Sequence, residues 1–239
     1  MAFKKFLLDE QTEITIYKRR TNRSLKLTVA PNGEVKVTIP TWTPYQAGVN
    51  FAKSKTAWIK SQTGKQPTGQ LEDGMAVGKS HHLRLVPTTS QKPTSRIKTT
   101  EIIINYPFEA SLNDPEVQKV IEAACERALR VQAEALLPQR LAALAQKHGF
   151  SYNQVSIKKL RSRWGSCDQR KNIVLNLHLM NLSWELIDYV LLHELTHTKV
   201  LRHGPDFWGA MSEVAPESKA LRRQIRGFHP YILTRADVV

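Results

Sequence analysis

Cysteine is nearly absent from this 239-residue chain: Cys125 and Cys167 are the only two. Two thiols cannot build a disulfide framework, so a disulfide-stapled secreted scaffold is excluded and a reducing compartment is expected. Long apolar runs are missing as well. No stretch approaches the ~20 residues that cross a bilayer as a helix, so no membrane role is expected. The opening residues, Met1-Ala-Phe-Lys-Lys-Phe-Leu-Leu-Asp-Glu10, reach acid after two leucines and lack the apolar core of a secretory signal. The cytoplasm is the expected location. No Walker-type phosphate loop occurs, which excludes P-loop nucleotide chemistry. Internal repeats and low-complexity segments are absent too.

Acidic side chains are in short supply. Lys and Arg number 35 against 21 Asp and Glu, a net charge of +14. Divided near residue 114, the first part has 17 basic and 9 acidic residues and the rest has 18 and 12. The excess is therefore spread along the chain and is not a basic tail. Such a field attracts polyanions: nucleic acid, nucleotides or acidic surfaces. The densest basic stretches are Lys18-Arg-Arg20 with Arg23, Lys158 to Arg163, and Arg222-Arg223 with Arg226. Aromatic residues are sparsely interleaved with them, so no RNA-binding sheet is expected. A minority of these cations would line a substrate groove. The remainder of the composition, 41% apolar and 23% charged, is that of an ordinary globular protein.

The pattern of apolar residues predicts an α+β chain. Glu13 to Lys18, Ser24 to Val29 and Val35 to Ile39 alternate with period two, and Pro31-Asn-Gly33 predicts a hairpin turn between the last two. A helix is predicted over residues 44 to 62. Polar residues 63 to 73 predict a loop. Strands follow at His82 to Val86 and Glu101 to Asn105, with Pro87 to Lys98 between them read as a long exposed loop. Tyr106 to Asp114 is the expected boundary: a β-rich N-terminal region over 1–112 and a second domain over 113–239. Apolar spacings of three and four predict helix from Pro115 to Lys147, with Pro138 breaking or kinking it and His148-Gly149 closing it. Strands are expected at Val155 to Leu160 and Ile173 to Leu179. Helix is expected again from Ser183, a good N-cap, through His197, then from Asp206, and over Lys219 to Arg226.

The chemistry concentrates in His193-Glu194-Leu195-Thr196-His197. Histidines four apart on a helix project from one face on successive turns, so both imidazoles can reach one metal ion. Glu194 lies one residue round the helix, able to take a proton from a metal-held water without ligating the ion. The reading is a zinc-dependent hydrolase with this helix, taken as amphipathic and capped, at its centre. A third ligand is needed. His203, six residues after His197 and just before Gly204-Pro205, is favoured. Glu217 competes at twenty residues, and Glu213 is a weaker rival. The His-x5-His spacing is that of metzincins, but Val200 stands where those have glycine, so the turn must be made differently or the helix must extend.

A second constellation, Arg161-Ser-Arg-Trp-Gly-Ser-Cys167, precedes the strand at 173 to 179. Gly165 permits close backbone approach. Arg163 could hold an anionic or carbonyl group and Ser166 could hydrogen-bond it. Cys167 is a possible soft ligand, and Trp164 is expected in the core. Tyr189, Arg163, Arg202 and His229 are candidates for an electrophile that assists the zinc. Phe207 and Trp208 are expected to pack under the site.

The run Ser162 to Cys167, then Ile173 to Leu179, Ile187-Asp-Tyr-Val190, His193 to His197, His203, Phe207-Trp208 and Pro216 resembles the YgjP-like metallopeptidase family, related to the SprT-like proteases and the wider zincins. The match is close over residues ~150 to 228 and looser over the N-terminal hairpin with Trp58-Ile59. The resemblance implies a zincin-like α+β domain with its active-site helix against a small sheet. It implies His193, His197 and His203 as zinc ligands, Glu194 as the base, and the Trp-Gly-Ser-Cys segment beside the helix. The expected substrate is a peptide or protein, with Arg163, Ser166 and Tyr189 touching it. Two alternatives stand beside this: a metal-dependent nucleoside triphosphate phosphohydrolase, which would use the basic charge, and a zinc-containing protein that binds nucleic acid.

Overall fold

The computed structural model describes residues 3–9, 12–29, 34–63 and 72–228, with the backbone alone for 61–63. The expected Pro31-Asn-Gly33 turn, most of the predicted loop at 63 to 73, and His229 lie outside the described residues. The chain divides into two units, Met1–Thr68 and Gly69–Val239.

In the first unit β1 (Phe3–Asp9), β2 (Thr12–Arg19), β3 (Lys26–Val29) and β4 (Val35–Pro40) form a sheet in the order β1-β2-β4-β3. β1 runs antiparallel to β2, β2 parallel to β4, and β3 antiparallel to β4. Register places Ile14 beside Val35 and Ile16 beside Val37, so one face is continuous β-branched surface. Helices α1 (Tyr45–Ser54) and α2 (Thr56–Thr63) follow, and Val49, Ala52 and Ile59 join those strand residues in one aliphatic core. The single predicted helix over 44 to 62 is interrupted at Lys55. There the hydroxyls of Ser54 and Thr56 donate to the carbonyls of Phe51 and Lys53, competing with the helical ladder.

The second unit begins with β5 (Ala76–Val77), β6 (His81–Thr88), β7 (Thr94–Ile97) and β8 (Glu101–Pro107), ordered β5-β6-β8-β7. β7 lies inside the expected loop. It is a polar edge strand after Pro93, a type with little hydrophobic signal because solvent covers most of it. This sheet packs on α3 (Pro115–His148) through Val77, Leu83, Ile102 and Ile104. The expected boundary at 112/113 therefore falls between two layers of one core, and the division comes at 68/69 instead.

Helix α3 runs unbroken through Pro138. An interior proline costs about 3 kcal/mol. Ala133, Leu137, Leu141 and Leu144 are buried on both sides of it, and burying each leucine is worth about 1.5–3 kcal/mol, enough to hold the helix together. The helix ends at Gly149, which adopts the left-handed φ of 64°.

A third sheet, β9 (Gln154–Lys158), β10 (Gly165–Cys167) and β11 (Asn172–Asn176), has the order β10-β11-β9. The strand predicted to reach Leu179 stops at Asn176, and Leu177–Asn181 forms a 3-10 turn. Asn176 accounts for this, since its side chain accepts from the His178 amide and donates to the carbonyls of Leu160 and Arg163. Helices α4 (Trp184–His197), α5 (Pro205–Val214) and α6 (Ser218–Ile225) complete the unit. Ser183 caps α4 by accepting from the Leu186 amide at 3.4 Å. The expected amphipathic helix is in fact buried on nearly every side, packed against α3, α5, α6 and β10. The chain is thus an α+β protein, and no helix among the described residues is long and apolar enough to cross a membrane.

Candidate active site

Helix α4 carries His193 and His197 one turn apart. The chain then leaves the helix through tight turns in which the amides of Thr198, Lys199 and Val200 donate to Leu195, Thr196 and Thr196. None of these residues is left-handed; Lys171 is the one non-glycine residue with positive φ among those described. The position that metzincins give to glycine is therefore served here by Val200 in ordinary backbone. Its carbonyl accepts from His197 Nδ1 at 3.1 Å. A carbonyl only accepts, so this bond puts the proton on Nδ1 and leaves Nε2 as a free donor of electrons.

His203 returns to the helix by this route. Its Nε2 lies 2.9 Å from Nε2 of His193 and 3.1 Å from Nε2 of His197. Phe207, fully buried at the start of α5, forms the floor under all three rings at 4.5–4.9 Å, and Trp208 stacks on His203. Burial, reinforced by the neighbouring imidazoles, pushes His193 down to about 3 and lowers His197. The pair is thus held neutral, the form that binds a cation. Three converging imidazole nitrogens form a cluster that could hold a metal ion. Their separations are close to what nitrogens bound at about 2.0–2.1 Å to one small ion require. Glu213 and Glu217 are exposed and stand outside this cluster, as does Cys167.

Glu194 faces the opposite way round the helix, toward β10. It is 4% exposed, and its Oε2 has no hydrogen-bond partner. Burial pushes its carboxyl up to about 8, against the pull of Arg163. Gly165 explains how a strand comes so close. A Cβ there would stand 2.7 Å from Glu194 Oε1 and 2.8 Å from its Cγ, so no other residue fits without displacing the carboxylate.

These groups line one cleft of about 460 Å³ in the second unit. It brings together His193, Glu194, His197 and His203 with Arg163, Ser166, Tyr189 and Cys167. Tyr189 is nearly buried and its hydroxyl is raised by that burial, with Arg222 and Arg226 opposing. The Cys167 thiol is pushed up to about 11, first by burial and then by Glu194, so it is protonated at neutral pH and a poor ligand. Arg202 is exposed and does not line the cleft. Trp164, expected in the core, is half-buried and forms part of the wall. Val190, Leu201 and Ile225 make up the rest of the apolar lining, and sequence reasoning passed over them. Val190 carried a signal: it is one turn before Glu194 on the same helix. Leu201 and Ile225 carried none, because only the packing of α6 and the return loop brings them in.

Two solved structures are similar to parts of the chain. The metallopeptidase zymogen of Pyrococcus abyssi abylysin shares 25% identity over 39% of this chain and 95% of its own, with a TM-score of 0.35. That of Methanocaldococcus jannaschii jannalysin shares 22% over 36% of this chain and 90% of its own, with a TM-score of 0.33. No curated protein matches. The model of the YgjP-like metallopeptidase domain matches residues 23–227, nearly the whole described chain and both units. The chain belongs to the YgjP-like metallopeptidase family.

Proposed function

We propose that this protein is a zincin-like zinc peptidase in which His193, His197 and His203 hold the metal and Glu194 is the general base. The observation that carries this reading is the convergence of three Nε2 atoms beside a buried, unpartnered carboxyl. Three neutral nitrogen acceptors turned toward one another repel unless a cation lies among them, and a nitrogen-only set suits zinc. Bound there, zinc would supply a Lewis acid for a carbonyl and make water ionisable near neutral pH.

The chain's own residues would do the rest. Glu194 Oε2, free of hydrogen bonds, takes a proton from the attacking water and passes it to the leaving amine. Gly165 keeps the space beside that carboxylate open. Tyr189 and Arg163 reach the cleft from opposite walls and are assigned to the substrate carbonyl oxygen, with Ser166 on the adjacent backbone. The substrate is a peptide or protein, matching the family.

The test compares wild type with Glu194→Gln, metal content determined for both, against a mixed peptide library and a panel of nucleoside triphosphates. The reading requires about one zinc per chain in both proteins, and loss of peptide cleavage by about 10²–10⁴-fold in the variant. Undiminished cleavage by Glu194→Gln overturns the mechanism. Turnover confined to nucleoside triphosphates overturns the substrate class.

A further inference from the structure

The first unit contributes nothing to the cleft, yet it holds much of the charge. Residues 1–68 contain twelve Lys and Arg against four Asp and Glu, a net +8 of the chain's +14. Its sheet has two unlike faces. One is aliphatic and packs with α1 and α2. On the other, register puts Phe3 beside Tyr17, Tyr17 beside Thr38, and Thr38 beside Lys26. A second row runs Lys5, Thr15, Lys36 and Thr28 across the same four strands. Arg19 lies two residues beyond Tyr17 on that face.

This face combines two features. The rings of Phe3 and Tyr17 lie 5.6 Å apart, tilted by 32°, and Phe3 is 55% exposed. An exposed aromatic pair on a sheet is a platform on which flat bases stack. Around it stand Lys5, Arg19, Lys26 and Lys36, with threonines filling the rows between. The acids nearby are Glu13 and Glu34, which pair with Lys5 at 2.7 Å and Lys36 at 2.9 Å. Both pairs are open to solvent, where such contacts are weak and phosphate can displace them. Arg19 and Lys26 are exposed. The sequence hid this arrangement, because Phe3 and Tyr17 are fourteen positions apart and become neighbours only through the β1–β2 register.

We propose that the open face of the N-terminal sheet binds single-stranded nucleic acid, with bases stacking on Phe3 and Tyr17 and phosphates held by Arg19, Lys26 and the flanking lysines. Duplex is disfavoured, because its bases are already stacked on one another and cannot reach the rings.

The test titrates the full-length protein into fluorescein-labelled oligo-U, oligo-dT and an oligo-dT·oligo-dA duplex of about twelve nucleotides, following anisotropy at several salt concentrations. Wild type binds both single strands at least about ten-fold more tightly than the duplex. Phe3→Ala weakens single-strand binding about ten-fold and Phe3→Trp restores it. The double variant Arg19→Gln/Lys26→Gln weakens binding and flattens the salt slope by about one unit. Lys53→Gln/Lys55→Gln makes the same charge change on the helical layer and leaves binding within about two-fold. Thermal unfolding of each variant separates lost binding from lost fold, and the surface double variant keeps the test open if Phe3→Ala loosens β1. The proposal is overturned by absent single-strand binding, by a duplex bound as tightly, by an inert Phe3→Ala, or by equal losses from the two double variants.

Discussion

The two units bury different kinds of residue. In the first, the interior is aliphatic and Thr15 is its one buried polar side chain among the described residues. In the second, Gln132, Asn176, His178, Asn181, Glu194 and His197 are all buried. Buried polar groups lower stability unless each finds a partner. Some do: Gln132 donates to His81 and to the Val77 carbonyl and accepts from the Lys79 amide. Others do not, and of these His193 Nδ1 and Glu194 Oε2 lie at the cleft. The first unit spends its polar residues on its surface, whereas the second places them inside, where a site needs ions kept dry. The contrast teaches where to look for chemistry: in the unit whose core contains polar atoms without a hydrogen-bond partner.

Metal removal should break that contrast most strongly. Stripping the purified protein with a chelator is expected to abolish peptidase activity and to lower the stability of the second unit by several kcal/mol, of order RT ln([metal]/Kd). Hydrogen exchange would place the loss: faster exchange in α4 and α5, with β2 and β4 unchanged. Equal loosening of β2 and β4 would remove the distinction.

Acid should act next. His178 is 2% exposed, with neither ring nitrogen hydrogen-bonded among the described residues. Burial pushes it down to about 4, with Glu126 pulling up and Lys159 pushing down. Its folded pKa lies below the unfolded value of about 6.5, so the unfolded chain binds the extra proton first. The stability is complete above about 6.5 and is lost as pH falls toward 4, by about 3 kcal/mol at most. Denaturant unfolding at several pH values checks this, and His178→Leu should flatten the slope in that window. An unchanged slope would acquit His178.

Gly165→Ala sharpens the comparison at the cleft. Its methyl would meet Glu194, so the carboxylate must move, and a displacement of about 1 Å costs roughly 100-fold in kcat. Circular dichroism should show the fold kept, because Gly165 is on the edge strand β10. The smallest effect belongs to the first unit. Lys5→Ala removes the exposed pair with Glu13 and should leave Tm unchanged within error.

Much of the architecture was readable in advance, for local reasons. β2, β4, β8 and the helices α3 to α6 follow from periods of two and 3.6, and Ser183 and Gly149 mark ends as caps do. β1 and β7 escaped because edge strands with charged or small residues lack a period. The domain boundary was misplaced because layers, and not element types, define a core. At the site, the projection of His193 and His197 from one helical face was readable. The choice of His203 over Glu217 for the cluster was only favoured by spacing.

The sequence by itself determined what lies within a helical turn of α4: two imidazoles on one face and a carboxylate beside them, because 3.6 residues per turn leave no freedom. The tertiary structure alone decided what reaches them. His203 comes back through a loop stabilised by Val200 and a floor of Phe207; Gly165 slides against Glu194 because β10 pairs with β11; Phe3 meets Tyr17 because β1 pairs with β2. Each of these contacts depends on hydrogen-bond register or packing between segments far apart in sequence, which no local pattern encodes.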